Sequence, residues 1–257
     1  MYACRAQPPV DSNPFNEWIS PGGGVWTGFY RIENGYMLRF PCLADFGVSD
    51  TGIEIVAHPV PGVSAATVQH LYSSQVLPLA LSRQGELVLH ASAVEVDDSV
   101  LAFLGTSGRG KSTLAASFTE CGHRIVTDDG LQLQSAADGY LALPGHPSIR
   151  LLDDSRRLAG DNLPFRDSSC PIRCMYFLGE GVADSVAIEP VSGRDAMIEL
   201  VRHSFLLDVE EKTMLARHFS QLTLLVSRPI FFRLDYPRNF EVLPAVREAV
   251  LAHSGSI

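Results

Sequence analysis

The spacing of apolar residues divides the chain into a strand-rich beginning and a longer stretch where strands alternate with helices. Residues 1–25 contain P-P, N-P and P-G-G-G, which predict irregular chain. From residue 28 to residue 57, short aromatic and β-branched runs separated by N-G and S-D-T-G predict an antiparallel meander. Residues 65–83 repeat apolar positions every three or four residues, which predicts a helix that Pro78 bends.

We therefore predict a β-rich N-terminal part with a linking helix over residues 1–84 and a larger domain over residues 85–257. In that domain, strands at 87–90 and 100–104 are followed by a helix at 111–120 and a strand at 123–127. Further strands are predicted at 141–143, 149–152, 175–178, 186–188 and 230–234, and helices at 194–203, 209–220 and 241–253. This alternation predicts an α/β fold with an open parallel sheet and right-handed crossovers.

Composition narrows the class of protein. Of 257 residues, 46% are apolar and 19% charged, which is typical of a folded globular chain. The net charge of -9 argues against partners rich in phosphate, so we expect no nucleic acid and no membrane partner. There is neither a run of about 20 apolar residues nor a signal peptide, so a cytoplasmic location is expected.

Cysteine usage indicates reduced thiols. Five cysteines are an odd number, and no export signal accompanies them. Cys170 and Cys174 stand in C-P-I-R-C, but a second pair of metal ligands at zinc-site spacing is missing. We therefore predict no metal site at these cysteines.

One segment matches a phosphate-binding pattern in full. Residues 105–113 fit G-x-x-x-x-G-K-[ST] between a predicted strand and a predicted helix. Glycines let the backbone wrap closely around a phosphate, toward which the helix N-terminus directs its positive end. The candidate nucleotide-binding residues are Gly105, Thr106, Ser107, Gly108, Arg109, Gly110, Lys111, Ser112 and Thr113. Lys111 is expected at the β- and γ-phosphates of ATP and Ser112 on Mg²⁺. The alternative is a glycine-rich turn before an ordinary helix.

Two consecutive carboxylates, Asp128 and Asp129, end the strand after that helix. Ligands of an open parallel sheet bind at the carboxyl ends of its strands, so we expect the pair beside the glycine loop. One carboxylate could hold Mg²⁺ and the other could accept a proton from an attacking hydroxyl. The alternative is that Asp129-Gly130 only forms a turn. His90 ends a predicted strand before the loop, where a histidine is often just a hydrogen-bonded structural residue.

These residues together resemble the catalytic domain of the HPr kinase/phosphorylase family. The segments that carry the resemblance are L-H-A-S-A-V, F-L-G-T-S-G-R-G-K-S-T-L-A-A-S-F and G-H-R-I-V-T-D-D, within residues 87–135. That family has a histidine upstream of its phosphate loop and paired Asp residues after a G-H-x-apolar-apolar strand. The resemblance implies a P-loop-containing, HPr-kinase-like core sheet with flanking helices, to which the β-rich N-terminal part is an addition.

The resemblance also implies an activity, namely ATP-dependent phosphorylation of a serine hydroxyl on a peptide or small protein. It implies that Asp128 is the proton acceptor, assisted by Asp129 and His90, and that Lys111 and Ser112 serve the nucleotide. We count Lys111 among the catalytic residues and assign Ser112 and Asp129 to Mg²⁺. The family's members form hexamers, so a homo-oligomer is left open.

Two later segments extend the resemblance to short bacterial HPr-kinase-like proteins. These segments are P-G-H-P-S-I-R-L-L-D-D and L-V-R-H-S-F. Some proteins of that group accompany lasso-peptide biosynthesis and phosphorylate a serine of the precursor peptide. The similarity implies that Arg150, Arg202 and His203 lie near the site as substrate-binding residues, since arginine suits phosphate. The alternative is that the arginines are surface or structural residues.

Two other functions remain open at the level of sequence. One is a kinase of a small-molecule alcohol, and the other is a nucleotide-gated binding protein without an acceptor. The paired Asp residues and His90 argue against the second, because a pure sensor needs only the loop. A peptide substrate could dock on a sheet edge of the N-terminal part.

Overall fold

The computed structural model describes residues 5–20, 22–145 and 163–257. These residues form two compact units. The first unit comprises Leu206–Arg217 and the described residues of Met1–Glu86. The second unit comprises His218–Ile257 and the described residues of Leu87–Phe205. No sequence pattern indicated that Leu206–Arg217 belongs to the first unit.

An antiparallel meander forms the sheet of the first unit, in the order β1-β2-β3-β4-β5. The strands are β1 Asn16–Ile19, β2 Val25–Ile32, β3 Gly35–Phe40, β4 Ala44–Ser49 and β5 Ile55–Pro59. Phe29, Leu38 and Phe46 pair across β2, β3 and β4 and are fully buried on one face. The meander predicted for residues 28–57 is confirmed, and β1 adds a strand that the Pro-rich opening concealed.

A bent helical segment follows β5 in the first unit. It consists of α1 Ala65–Leu71, a π-helical turn Tyr72–Val76 and α2 Leu77–Gln84. Ser64 caps α1 by accepting a hydrogen bond from the Thr67 amide at 3.1 Å. Pro78 lacks the amide hydrogen that an α-helix would direct at the Ser74 carbonyl, which explains the wider turn before it. The predicted bent helix is confirmed.

A buried carboxylate ties the segment Leu206–Arg217 to the meander within the first unit. Asp208 is 2% exposed and accepts hydrogen bonds from Arg31 at 2.8 and 3.0 Å and from the Tyr36 hydroxyl at 3.2 Å. Burial acts to raise the pKa of Asp208, but the bonds from Arg31 and neighbouring donors hold it below its usual value. The pairing of Asp208 with Arg31 explains why Leu206–Arg217 belongs to the first unit, which the spacing of the sequence could not indicate.

Replacing Asp208 with Asn is expected to lower the free energy of unfolding by about 2 kcal/mol, because a buried charge-assisted bond is lost. Urea unfolding measures this loss. Glu210→Gln is the matched control, because Glu210 contacts the same Arg31 at 3.0 Å from an exposed position. Its effect should stay below about 0.5 kcal/mol. Equal losses in both variants would contradict the role given to Asp208.

The second unit is built on a mixed sheet with helices on both faces. Its strands, within the described residues, are β6 Leu87–Leu89, β7 Ala91–Val96, β8 Ser99–Leu104, β9 Arg124–Thr127, β10 Leu131–Ala136, β11 Gly139–Ala142, β12 Cys170–Leu178, β13 Ala187–Pro190 and β14 Phe231–Asp235. The order is β6-β10-β11-β12-β8-β7-β9, with β14 also beside β12 and β13 beside β14. The helices of this unit are α3 Lys111–Thr119, α4 Gly193–Arg202 and α6 Leu243–Ser254, together with the part of α5 Lys212–Val226 that begins at His218.

Two apolar clusters hold these layers together. On one face, Ala196 and Leu200 of α4 and Leu222 of α5 pack against strand residues such as Met175. On the other face, Leu114 and Phe118 of α3 and Val246 of α6 pack against Phe103 and Tyr176. Each helix buries one apolar stripe against the sheet, which is the usual way a mixed α/β sheet is stabilised. The α/β class is thus confirmed.

The prediction of an open parallel sheet near the glycine loop is wrong in one respect. β8 runs parallel to β12, and β12 parallel to β14, but β7 lies antiparallel between β8 and β9. The predicted strand 87–90 ends at Leu89, and the chain bends at His90 before β7 begins. Asp97 and Asp98 turn the chain from β7 into β8 with φ of 48° and 54°. This two-residue turn was missed because it lacks the Asn-Gly or Asp-Gly signal.

Most of the other predicted elements of this unit are observed with shifted bounds. The strand predicted at 141–143 is β11, that at 175–178 is part of β12, and that at 186–188 corresponds to β13. The helix predicted at 209–220 begins later and ends later, as α5, and β10 was not predicted. The strand predicted at 149–152 lies outside the described residues.

Cys42, Cys121, Cys170 and Cys174 are free thiols, which confirms the prediction for these four. Across residues 5–20, 22–145 and 163–257, no helix has the length and apolar character needed to cross a membrane.

Candidate active site

The topology of the second unit brings three chain segments to one edge of the sheet. In the β7–β8 pair Ala91 lies opposite Leu104, and in the β7–β9 pair Ala93 lies opposite Thr127. Because β7 is antiparallel to both neighbours, it begins where β8 and β9 end. His90, the glycine loop and the two Asp residues therefore meet at this edge, although the strands are not all parallel.

The glycine loop, residues 105–110, connects β8 to α3. Gly108 and Gly110 have φ of 83° and 85°, in the left-handed region that residues with a Cβ rarely adopt. A Cβ on Gly108 would meet no atom within 4 Å, so backbone conformation alone favours glycine there. Thr106, Ser107 and Gly108 are exposed, whereas Gly105 is buried against Leu178. The exposed backbone of the loop is thus accessible to an anion, next to the N-terminus of α3.

Lys111 begins α3 and lies beneath the loop. Its side chain is buried, and its Nζ donates hydrogen bonds to the carbonyl oxygens of Gly105 at 2.7 Å and Thr106 at 3.4 Å. Burial lowers the pKa of Lys111, while the negative charges of Asp129 and Asp128 act in the opposite direction. The ammonium group is thus placed between the loop and the two carboxylates.

Asp128 is oriented by two hydroxyl groups. The Ser112 hydroxyl donates to its Oδ1 at 2.9 Å, and the Ser92 hydroxyl makes a short hydrogen bond to the same oxygen. Ser92 is fully buried on β7. Sequence reasoning missed Ser92, although it stands two positions after His90; a polar residue within an apolar strand was the available signal.

Asp129 adopts a left-handed conformation with φ of 66°, which Asp tolerates better than most residues. The Gly130 amide donates to the Asp128 carbonyl at 2.9 Å, and the Thr127 hydroxyl donates to the Gly130 carbonyl at 2.8 Å. The segment is therefore a tight turn, as the alternative interpretation held. The turn also sets the two carboxylates at the edge of the sheet near Lys111.

His90 and His203 lie side by side at the same edge. The His90 amide donates to the His203 carbonyl at 2.6 Å, and the Phe205 amide donates to the Val88 carbonyl at 2.9 Å. The segment after α4 thus runs along β6 and carries His203 to the site. His203 was implied only by the resemblance, because no sequence spacing connects it with His90.

Both imidazoles are held in the neutral form near pH 7. Burial, followed by the positive charge of Lys111, lowers the pKa of His90 to about 3, against a hydrogen bond with the Asp129 backbone. Burial and then Lys111 also lower the pKa of His203, to about 4. These histidines can therefore donate or accept hydrogen bonds at neutral pH without adding charge beside Lys111.

Stability is expected to fall as the pH drops from about 6.5 to about 4, because unfolded His203 binds a proton in this window and folded His203 does not. Urea unfolding at a series of pH values measures this slope. His203→Gln removes one titrating group and should make the slope shallower. An unchanged slope in His203→Gln would show that His203 is not held neutral by the fold.

The arginine candidates take different positions. Arg109 turns from the loop to Glu180, with Nη2 2.7 Å from Oε2 and Nη1 donating to the Glu180 carbonyl at 3.0 Å. Arg202, at the end of α4, is 67% exposed and lies 3.6 Å from Glu199. Arg150 lies outside the described residues. Glu180 was not anticipated, since nothing in the spacing of the sequence joins it to Arg109.

The oxygen atoms of Ser112, Asp128 and Asp129 suit a hard cation such as Mg²⁺ that is bound together with the phosphates of a nucleotide. In the described part of the chain, no group of three or more His, Cys, Asp or Glu side chains could hold a metal alone. Mg²⁺ is commonly bound by one or two carboxylates together with substrate phosphates and water. The Ser112 hydroxyl meets Asp128 at 2.9 Å, so Asp128, as well as Asp129, is available to a cation at Ser112.

Comparison with known proteins gives a partial similarity. No family model and no curated protein matches this sequence. Among solved structures, the chain is similar to the HPr(Ser) kinase/phosphatase from Coxiella burnetii, with 14% sequence identity and a TM-score of 0.36. The aligned region covers 66% of this chain and 97% of that one.

Proposed function

We propose that this protein is an ATP-dependent kinase that transfers the γ-phosphoryl group to a serine hydroxyl of a peptide or small protein. The observation that carries the proposal is the convergence of Lys111, Ser112, Asp128 and Asp129 beside the glycine loop. Ser112 contacts Asp128 at 2.9 Å, and both carboxylates act on the Lys111 ammonium. Phosphoryl transfer requires such a combination of backbone donors, a cation, a hydroxyl and carboxylates.

The glycine loop, the start of α3 and Lys111 form the part of the site that suits the phosphates of a nucleoside triphosphate. The exposed loop backbone and the first turn of α3 supply N–H groups to phosphate oxygens, and buried Lys111 supplies a positive charge. Ser112 and one or both Asp residues would hold the Mg²⁺ that accompanies ATP. Bound Mg-ATP would supply the phosphoryl group and the divalent charge that offsets negative charge during transfer.

The acceptor half of the site is provided by Asp128 and the neighbouring histidines. Asp128 would accept the proton of the attacking hydroxyl, and its bonds from Ser92 and Ser112 restrict its rotation. Neutral His90, hydrogen-bonded to the Asp129 backbone, would keep the turn in place. His203 lies beside His90, where a neutral imidazole could bind the acceptor.

The choice of acceptor rests on the resemblance to short HPr-kinase-like proteins. A serine of a lasso-type precursor peptide is the acceptor that we propose to test first. Mass spectrometry after incubation with Mg-ATP would detect a gain of one phosphate on serine. If phosphate appeared only on small-molecule alcohols and on no peptide, the protein would be a kinase of a small alcohol instead. ATP binding without transfer to any acceptor would indicate the nucleotide-gated binding protein instead.

A further inference from the structure

A polar cluster at the ends of β12 and β14 lies beside the glycine loop, and the steps proposed above for phosphate transfer do not use it. β8 is parallel to β12, and β12 is parallel to β14, so the three strands end at the same edge of the sheet. The glycine loop follows β8, residues 179–182 follow β12, and residues 236–239 follow β14. At the usual strand spacing β14 lies roughly 10 Å from β8, which is within the length of a nucleoside triphosphate.

The direction of a bound triphosphate follows from the position of Asp128. Asp128 and its hydrogen-bond partner Ser92 lie on the β7–β9 side of the glycine loop, whereas β12 and β14 lie on the other side of β8. The proposed acceptor meets the γ-phosphate at Asp128. A phosphate chain held by the loop with its γ-phosphate at Asp128 therefore directs the nucleoside toward the ends of β12 and β14. In this respect the inference rests on the proposed function.

Tyr236 connects this region to the glycine loop. Its ring is buried in the same apolar cluster as Leu114 of α3. A Cβ on Gly110 would lie 3.9 Å from the Tyr236 hydroxyl oxygen, so the phenol reaches the start of α3. Arg109 of the loop pairs with Glu180, with Nη2 2.7 Å from Oε2. These contacts join the phosphate-binding loop to the segments that follow β12 and β14.

Arg238 places a flat cationic group over Tyr236. Its Cζ lies 4.1 Å from the centre of the Tyr236 ring, and its Nη2 donates to the Gly179 carbonyl at 2.8 Å. A Cβ on Gly181 would lie 2.5 Å from the Arg238 Cγ, so glycine at this position makes room for the arginine stem. The phenol covers one face of the guanidinium, and 25% of the side chain remains exposed. Planar guanidinium groups stack on aromatic rings, including those of nucleotide bases.

Two short polar side chains of this region bind the backbone of the loops. Oδ1 of Asp235 accepts hydrogen bonds from the Gly181 amide at 2.7 Å and from the Tyr236 amide at 3.0 Å. Oδ1 of Asn239 accepts a hydrogen bond from the Val242 amide at 3.1 Å. These oxygens shape the two loops, and contact with a base at this edge depends mainly on the guanidinium plane.

We propose that Arg238 binds the base of the nucleotide by stacking its guanidinium on the ring, on the face opposite Tyr236. The exposed apolar side chains of Val182 and Phe240, in the segments after β12 and β14, border the base. A stacked base is held by its ring face, which every purine offers. The site therefore takes purine nucleoside triphosphates as a class, with little distinction between adenine and guanine.

A comparison of ATP with inorganic triphosphate tests this assignment. Isothermal titration of the full-length protein with Mg²⁺ and without an acceptor measures both affinities. Arg238→Ala should weaken ATP binding about tenfold, because the stack on the base is lost, and should leave binding of inorganic triphosphate unchanged. Equal weakening for both ligands would show that Arg238 acts on the glycine loop. That result, or unchanged ATP binding, would overturn the proposal.

Two further variants separate stacking from charge. Arg238→Lys keeps the positive charge and a donor for the Gly179 carbonyl but lacks the flat guanidinium, so it should weaken ATP binding nearly as much as Arg238→Ala. Arg233→Ala is the matched control and should bind ATP as the unmodified protein does. Arg233 is exposed on β14 and lies 3.8 Å from Glu199 of α4, the helix that packs on the other face of the sheet. Full affinity in Arg238→Lys, or an equal loss in Arg233→Ala, would overturn the stacking role.

A nucleotide series tests the ligand class. ATP and GTP should bind within about threefold of each other, and CTP, whose smaller ring stacks less, should bind more weakly than both. Discrimination of more than about tenfold between ATP and GTP would require hydrogen bonds to the base edge, and it would overturn the proposal.

The same titrations separate this inference from the proposed kinase activity. Stacking-dependent purine binding without phosphate transfer to any acceptor would support the nucleoside site and remove the kinase. Phosphate transfer by a protein that binds inorganic triphosphate as tightly as ATP would support the kinase and remove the nucleoside site.

Discussion

Replacing Lys111 with Ala is expected to lower phosphate transfer by about a thousandfold, because the buried cation that meets the transferred phosphoryl group is lost. ADP release in the presence of Mg-ATP and an acceptor measures this effect. Lys111→Met keeps the apolar stem of the side chain and should be equally inactive, which separates loss of charge from loss of packing. Circular dichroism checks that both variants are folded.

The sequence offers a matched control for this experiment. Its one other lysine is Lys212, which is exposed at the start of α5. Lys212→Ala removes the same charge from the chain and should retain full activity. Near-normal transfer in Lys111→Ala, or an equal loss in Lys212→Ala, would contradict the assignment of Lys111 to the site.

Replacing Asp128 with Asn is expected to lower transfer by about a hundredfold or more while ATP binding changes only a few fold. The amide keeps the shape of the side chain but cannot take the proton of the acceptor hydroxyl. Isothermal titration with ATP and mass spectrometry of the acceptor measure the two quantities separately. A parallel loss of binding and transfer would show that Asp128 acts mainly on the nucleotide.

Two neighbouring variants make this prediction sharper. Ser92→Ala leaves the Asp128 carboxylate in place but removes one of the two hydroxyls that orient it. A partial loss of transfer is expected, smaller than in Asp128→Asn. Asp129→Asn should raise the Mg²⁺ concentration needed for half-maximal transfer, whereas the rate of transfer at saturating Mg²⁺ should fall less. If Ser92→Ala is as inactive as Asp128→Asn, orientation rather than proton acceptance limits the reaction.

The elements around the glycine loop could be predicted because local signals agree there. The run 105–113 has glycines at the two positions with positive φ, and Cys121-Gly122 follows the end of α3 as expected. Beside the loop, the element that was missed is β7, which turns into β8 through Asp97 and Asp98. A two-residue turn without glycine carries a weak sequence signal, so the hairpin was visible only in three dimensions.

Residues that reach the site through long-range pairing could not be predicted from spacing. His203 arrives because the segment after α4 pairs with β6, and Ser92 arrives because β7 lies between β8 and β9. Asp208 similarly joins the first unit through its bonds with Arg31. In each case the partners are far apart in sequence, and only the completed sheet brings them together.

The scarcity of lysine gives the protein a simple spectroscopic property. Lys111 and Lys212 are the two lysines of the sequence, and one is buried beneath the glycine loop while the other is exposed. Incorporation of ¹³C-labelled lysine therefore yields two side-chain environments in a nuclear magnetic resonance spectrum. One resonance belongs to the site and the other is an internal reference, so occupancy can be followed without attaching a dye or altering any residue.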